Sequence, residues 1–141
     1  MSIKRVEAKE ASELVEKGWT LIDVRSELEF EEGHPKGAIN IPWMHKTPGG
    51  MKKNEDFEKV IKRHVKTDQQ IVLTCRSGNR SMKAAKAMSE WGYTSLIDLR
   101  GGFSGEKDLS GQVTCKGWSA WDLPVDKGLG QKTYQELKSE S

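Results

Sequence analysis

No apolar run in this 141-residue chain approaches the roughly 20 residues that a bilayer-spanning helix needs. The N-terminus, Met1-Ser2-Ile3-Lys4-Arg5-Val6-Glu7, has no hydrophobic signal core. Secretion by that route and a membrane partner are therefore not expected, and the expected location is cytoplasmic. Cysteine is scarce, with only Cys75 and Cys115, and without a signal peptide a structural disulfide is not their expected use. No CxxC or HxxxH pairing joins them to His34, His45 or His64, so neither a metal nor another cofactor is expected. An excess of one charge is also missing. The 23 Lys and Arg against 21 Asp and Glu give a net +2, with signs interspersed, and this argues against nucleic acid as a partner.

What the chain does have is alternation. At 35% apolar and 31% charged residues it suits one domain with one sizeable core and a well-solvated surface. Short apolar runs at 3–6, 21–24, 38–41, 71–74 and 96–99 read as strands. Between them, Ala11, Leu14 and Val15 repeat at helical spacing up to Gly18, and the acidic stretch from Ser26 stops at Gly33. Phe57, Val60, Ile61 and Val65 form the face of a helix with Asn54 as its expected N-cap. Ala84, Ala85, Met88 and Trp91 form another, closed by Gly92. Thr47-Pro48-Gly49-Gly50 reads as a loop, and the polar tail from Asp126 reads as a loose helix or disorder. The fold class this implies is α/β: a single domain over 1–125 whose mainly parallel central sheet carries helices on both faces, then a tail over 126–141.

One run carries chemistry. Cys75-Arg76-Ser77-Gly78-Asn79-Arg80-Ser81 leaves the strand Ile71-Val72-Leu73-Thr74 and enters a helix. Successive amides in such a turn form an anion nest, and the positive end of the helix dipole adds to it. That setting favours a thiolate. No proline interrupts the run, so every amide is a potential donor.

These residues resemble the rhodanese family of sulfurtransferases. The likeness rests on Leu-Ile-Asp-Val-Arg (21–25), Gly-His-Pro-Lys-Gly-Ala-Ile-Asn-Ile-Pro (33–42), the Cys75 to Ser81 loop, Leu-Arg-Gly-Gly-Phe (99–103) and Trp-Asp-Leu-Pro-Val (121–125). The resemblance implies a single-domain thiosulfate sulfurtransferase. Cys75 would take sulfane sulfur from a small anionic donor such as thiosulfate, hold it as a persulfide, and pass it to cyanide or a thiol. Ser77, Gly78, Asn79 and Ser81 would help to cradle the donor, with Arg76 and Arg80 supplying charge. Thiosulfate and the sulfite it releases are both anions, so arginine and amide donors suit both. An ionised thiol needs no partner base.

The competing readings are a protein-to-protein sulfur carrier, a rhodanese-fold regulatory or binding module, and a cysteine phosphatase. Phosphatases of this fold have one more residue between cysteine and arginine than the four found here, Arg76 to Asn79. The shorter cradle suits a terminal sulfur. Binding modules commonly lack the cysteine, which this chain keeps. Asp23 with Arg25, and His34, read as braces for neighbouring loops. His64 and the tryptophans read as packing, and Cys115 as a bystander more than a relay thiol. The chain departs from the family in placing proline directly after His34, and in an insertion over 104–117. Since that insertion also follows a strand, it is expected to border the mouth of the site and help to choose the acceptor.

Overall fold

The computed structural model describes residues 3–128 and 133–139. In chain order the first elements are β1 (Lys4–Val6), α1 (Ala8–Glu16), β2 (Thr20–Asp23), α2 (Glu27–Glu32), β3 (His34–Pro35) and β4 (Ile39–Asn40). They are followed by β5 (Met44–Thr47), β6 (Gly50–Lys53), α3 (Phe57–His64), β7 (Ile71–Thr74), α4 (Asn79–Glu90) and β8 (Leu96–Leu99). The last are β9 (Glu106–Lys107), β10 (Val113–Cys115), a 3-10 turn (Trp118–Ala120), β11 (Val125–Asp126) and α5 (Tyr134–Ser139).

Five strands form the central sheet in the order β1-β8-β7-β2-β4, and every pairing in it is parallel. Strands buried on both faces have no polar alternation to show, which is why β7 reads Ile-Val-Leu-Thr. The period of two appears instead in where each residue packs. Ile71 and Leu73 join Ile22 under α3, α4 and α5, while Val72 joins Leu21 and Ile97 under α1 and Trp118. Helices therefore cover both faces, as the alternation of the sequence implies.

One expectation needs correction, and two are sharpened. The helix at 57 has Asp56, not Asn54, at its N-cap position. Asn54 is buried; its side-chain oxygen accepts the Asp56 amide at 3.0 Å, and its Nδ2 donates to the Pro42 carbonyl and the Tyr134 hydroxyl. The stretch read as a loop at 47–50 is the tip of an antiparallel hairpin, β5–β6. The tail is also better anchored than its polarity implies, for β11 pairs with β3, and Tyr134 and Leu137 of α5 are buried in the core. The His64 Nε2 meets the Leu137 carbonyl at 2.6 Å, so that histidine helps to hold α5.

Because the sheet is parallel, the C-terminal ends of β2, β7 and β8 lie side by side on one edge. The Cys75 loop and the segment that clamps it both leave that edge.

Candidate active site

Cys75 follows β7 directly and is 1% exposed. Its sulfur accepts the Gly78 amide at 3.1 Å. The turn that brings this amide back needs φ +110° at Gly78, a left-handed conformation that glycine adopts without strain. Gly78 is also fixed from behind, since a Cβ there would lie 2.6 Å from Nη2 of Arg5. Asn79 then opens α4, whose first-turn amides have no partner inside the helix and point the positive end of its dipole at the loop.

The loop is clamped by the segment leaving β8. The Phe103 and Ser104 amides donate to the Cys75 and Arg76 carbonyls at 2.7 and 2.8 Å. Gly102, at φ +55°, permits this approach; a Cβ on it would sit 2.4 Å from the Cys75 carbonyl oxygen. On the β2 side, Arg25 donates from Nη2 to Asp23 and to the Gly33 carbonyl, both at 2.7 Å, and its guanidinium stacks 4.5 Å from the Phe103 ring centroid. His34 stacks on Phe30 and donates from Nδ1 to the Phe30 carbonyl at 2.8 Å. Asp23, Arg25 and His34 are thus braces, as their positions in the sequence implied.

The loop opens on a cleft of ≈ 880 Å³. Arg76, Arg80, Phe103 and Ser104 line its loop side; Leu28, Glu29 and Glu32 of α2, with Met44, Lys46 and Met51 of the β5–β6 hairpin, line the rest together with Val125 and Lys127. The two loop arginines differ in state. Arg76 is exposed and makes no ion pair among the described residues. Arg80 donates two parallel hydrogen bonds to Glu29, at 2.7 and 2.9 Å. Burial alone would raise the Glu29 carboxyl, but the hydrogen bonds and charge of Arg80, helped by Ser26, hold it at about 2. The hydrogen bonds that Arg80 donates to Glu29 in turn raise Arg80 above its ordinary value, with the charges of Glu29, Cys75 and Asp23 adding to the rise against burial. Ser77 is half-buried and Asn79 exposed, whereas Ser81 is fully buried and its hydroxyl donates to the Gly78 carbonyl at 3.3 Å. Ser81 therefore holds the loop from beneath.

The insertion over 104–117 does not lie where it was expected. Only Ser104 of it lines the cleft among the described residues. The rest turns back as the β9–β10 hairpin, whose Glu106 pairs with Arg100 at 3.2 Å and with Arg5 at 4.0 Å, beyond the β1 edge of the sheet. Cys115 is 5% exposed, between the Arg100 carbonyl and the Glu7 carboxyl. Burial pushes its thiol up, and the charges of Glu7 and Glu106 push the same way against Arg100. A thiol so placed is a poor nucleophile near neutral pH.

Sequence reasoning missed Glu29, the β5–β6 hairpin and Arg5. One signal for Glu29 was available. Ser26-Glu27-Leu28-Glu29 is a capping box, with Ser26 and Glu29 bonded reciprocally, and this fixes Glu29 at the cleft wall.

The rhodanese-like domain model matches residues 7–108, from the end of β1 through the Cys75 loop to the start of the insertion. The chain belongs to that family. Among curated relatives, thiosulfate sulfurtransferase 16, chloroplastic, of Arabidopsis thaliana is 39% identical over 94 residues, covering 67% of this chain and 78% of that protein. Senescence-associated protein DIN1 of Raphanus sativus is 37% identical over 117 residues, covering 83% of this chain but only 57% of its own length. The chain thus spans little more than half of that relative. Among solved structures, Rv0390 from M. tuberculosis superposes with a TM-score of 0.75 at 27% identity, covering 91% of this chain and all of the other. The agreement in fold therefore extends past the matched segment.

Proposed function

We propose that this rhodanese-like chain is a sulfurtransferase that moves sulfane sulfur through a persulfide on Cys75. The observation that carries this reading is the Gly78 amide held 3.1 Å from the Cys75 sulfur at the foot of α4. An inward amide stabilises anionic sulfur both before and after the cysteine gains an atom. In the first step the Cys75 thiolate attacks the outer sulfur of thiosulfate. The S–S bond of the donor breaks, sulfite leaves with the electron pair, and a Cys75 persulfide anion remains. In the second step a thiolate or cyanide attacks the terminal sulfur, and Cys75 departs as thiolate. Atoms and electrons balance without a cofactor. With Cys75 only 1% exposed, a donor that extends a single terminal sulfur fits better than one that must bring a whole phosphate group to the attack position.

Intact-mass and peptide analysis after exposure to thiosulfate tests this reading. The expected product is one added sulfur atom on Cys75, removed by cyanide, with Cys115 unchanged. A Cys75 that stays unmodified with thiosulfate and with polysulfide alike overturns it.

The Arg80–Glu29 pair leads to a second expectation. Glu29→Gln keeps the capping geometry, because glutamine serves at that position of the box. It leaves the Arg80 charge uncompensated beside the donor site, so KM for thiosulfate should fall several-fold, and that gain should fade in high salt. The same change should flatten the acid limb of stability. A carboxyl held at about 2, against an ordinary 4.5, contributes stability above 4.5 and loses it as pH falls towards 2. Denaturant titrations of both proteins at pH 3 and pH 6 check this, the wild type losing more on acidification.

A further inference from the structure

The cleft is too large and too apolar at its rim for the small molecules that the sulfurtransferase reading requires. Five large apolar side chains are exposed among the described residues, and Leu28 (58%), Met51 (41%) and Val125 (41%) all line this one cleft. They come from three separate elements, α2, β6 and β11, so the patch is built by the fold and does not reflect one greasy segment. A volume of ≈ 880 Å³ suits an occupant of drug or peptide size. Cyanide and thiosulfate would fill a small corner of it.

The charge on the same walls has a sign. Lys46, Arg76 and Lys127 line the cleft and enter no ion pair among the described residues. Of the two carboxylates there, Glu29 is committed to Arg80 and only Glu32 is unengaged. Three uncompensated cations therefore surround an apolar rim, against one carboxylate. Electrostatic complementarity of this kind selects the partner and speeds its approach.

We propose that the acceptor of the Cys75 sulfur is a polypeptide segment whose cysteine is flanked by apolar and acidic side chains. The inference rests on the sulfurtransferase reading and adds the class of acceptor to it. Cys75 lies 1% exposed beneath the loop, so the accepting sulfur must reach inward on a protruding or extended segment. The apolar neighbours of that cysteine then cover Leu28, Met51 and Val125, and its carboxylates meet Lys46 and Lys127. A hydrophilic small thiol such as glutathione brings carboxylates but leaves the apolar rim in water.

The test is single-turnover transfer from protein loaded with sulfur on Cys75. The probes are a synthetic decapeptide with one cysteine between leucines and glutamates, its Leu→Ser and Glu→Lys counterparts, glutathione, coenzyme A and cyanide. The apolar, acidic peptide should accept sulfur about tenfold faster than its Leu→Ser counterpart, which is what covering one such side chain is worth, and several-fold faster than its Glu→Lys counterpart, whose charge the cations of the cleft repel. Met51→Ser and Leu28→Ser, on exposed positions of different elements, should each lower the ratio of its rate to that of glutathione. The Lys46→Glu, Lys127→Glu double variant should turn the preference towards the Glu→Lys peptide. Equal rates for the peptides, a small thiol that outruns all of them, or rim variants that slow glutathione as much as the peptide would each overturn the proposal. Loading is read first and by mass, so a Cys75 that never gains sulfur marks failure of the sulfurtransferase reading itself, whereas a loaded protein without peptide preference sinks the acceptor assignment alone.

Discussion

A Cys75→Ser protein should fold like the wild type and yet lose sulfur transfer by at least ~10³-fold, the scale on which removal of a nucleophile acts. A serine hydroxyl is ionised to a negligible degree near neutral pH and forms no counterpart of the persulfide. The fold should tolerate the change because the Oγ can still accept the Gly78 amide that the sulfur now receives at 3.1 Å. The expected stability cost is about 1 kcal/mol, the worth of exchanging a buried thiol for a bonded hydroxyl. Cys115→Ser is the matching control. That thiol sits behind Gly101, where a Cβ would lie 3.2 Å from its sulfur, and burial pushes its pKa up. Its replacement should leave transfer unchanged. Steady-state rates with thiosulfate and cyanide, read beside near-UV circular dichroism, decide both. A serine variant that retains substantial transfer would remove Cys75 from the mechanism.

That the Cys75 loop was legible in the sequence, while much of its surroundings was not, follows from the range of the interactions. The strand before Cys75, the glycine three residues after it and the helix beyond are local, and local pattern encodes them. The parallel sheet followed from short apolar runs alternating with amphipathic ones. By contrast, the Arg80–Glu29 pair spans 51 residues and the Arg5–Asp98 pair 93, and no spacing rule reaches across such distances. The β5–β6 hairpin was missed for another reason. Met-His-Lys-Thr and Gly-Met-Lys-Lys bury no regular face, since β6 is exposed throughout, so no alternation marks them as strands. The tail hid its anchorage in two residues only. Tyr134 and Leu137 lie three apart, on one face of a six-residue helix, within an otherwise polar stretch. The position of the 104–117 insertion went wrong because chain order gives the edge of the sheet at which a segment leaves, and not the direction in which it then turns.

Arg5 is where these long-range contacts converge, and Arg5→Leu should be the most destabilising of the substitutions considered, by about 3–5 kcal/mol. Its Nε donates to Asp98 at 2.9 Å, and Asp98 is completely buried. Burial raises the Asp98 carboxyl, and Ser81 and Arg5 oppose that rise. Without the arginine a buried carboxyl remains in the core with no counter-charge, and its proton is held still more tightly in the folded state. A group whose folded pKa is raised costs stability as pH climbs above its unfolded value, here 3.8. The deficit of Arg5→Leu should therefore shrink on acidification towards that value and be greatest near neutrality. The same guanidinium also lies against Gly78 and near Glu106 of the insertion, so it ties the β9–β10 hairpin to the back of the Cys75 loop. Two roles, in the core pair and behind the loop, can be separated. Replacing both partners, Arg5→Met with Asp98→Leu, removes the unpaired charge and should restore most of the stability, as apolar replacement of buried pairs often does. If Arg5 also positions Gly78, the double variant will remain slow in transfer, with the loss in kcat exceeding that in thiosulfate KM. Recovery of both stability and rate would confine Arg5 to the core, and the Gly78 amide would then owe its place to the clamp from Phe103 and Ser104 alone.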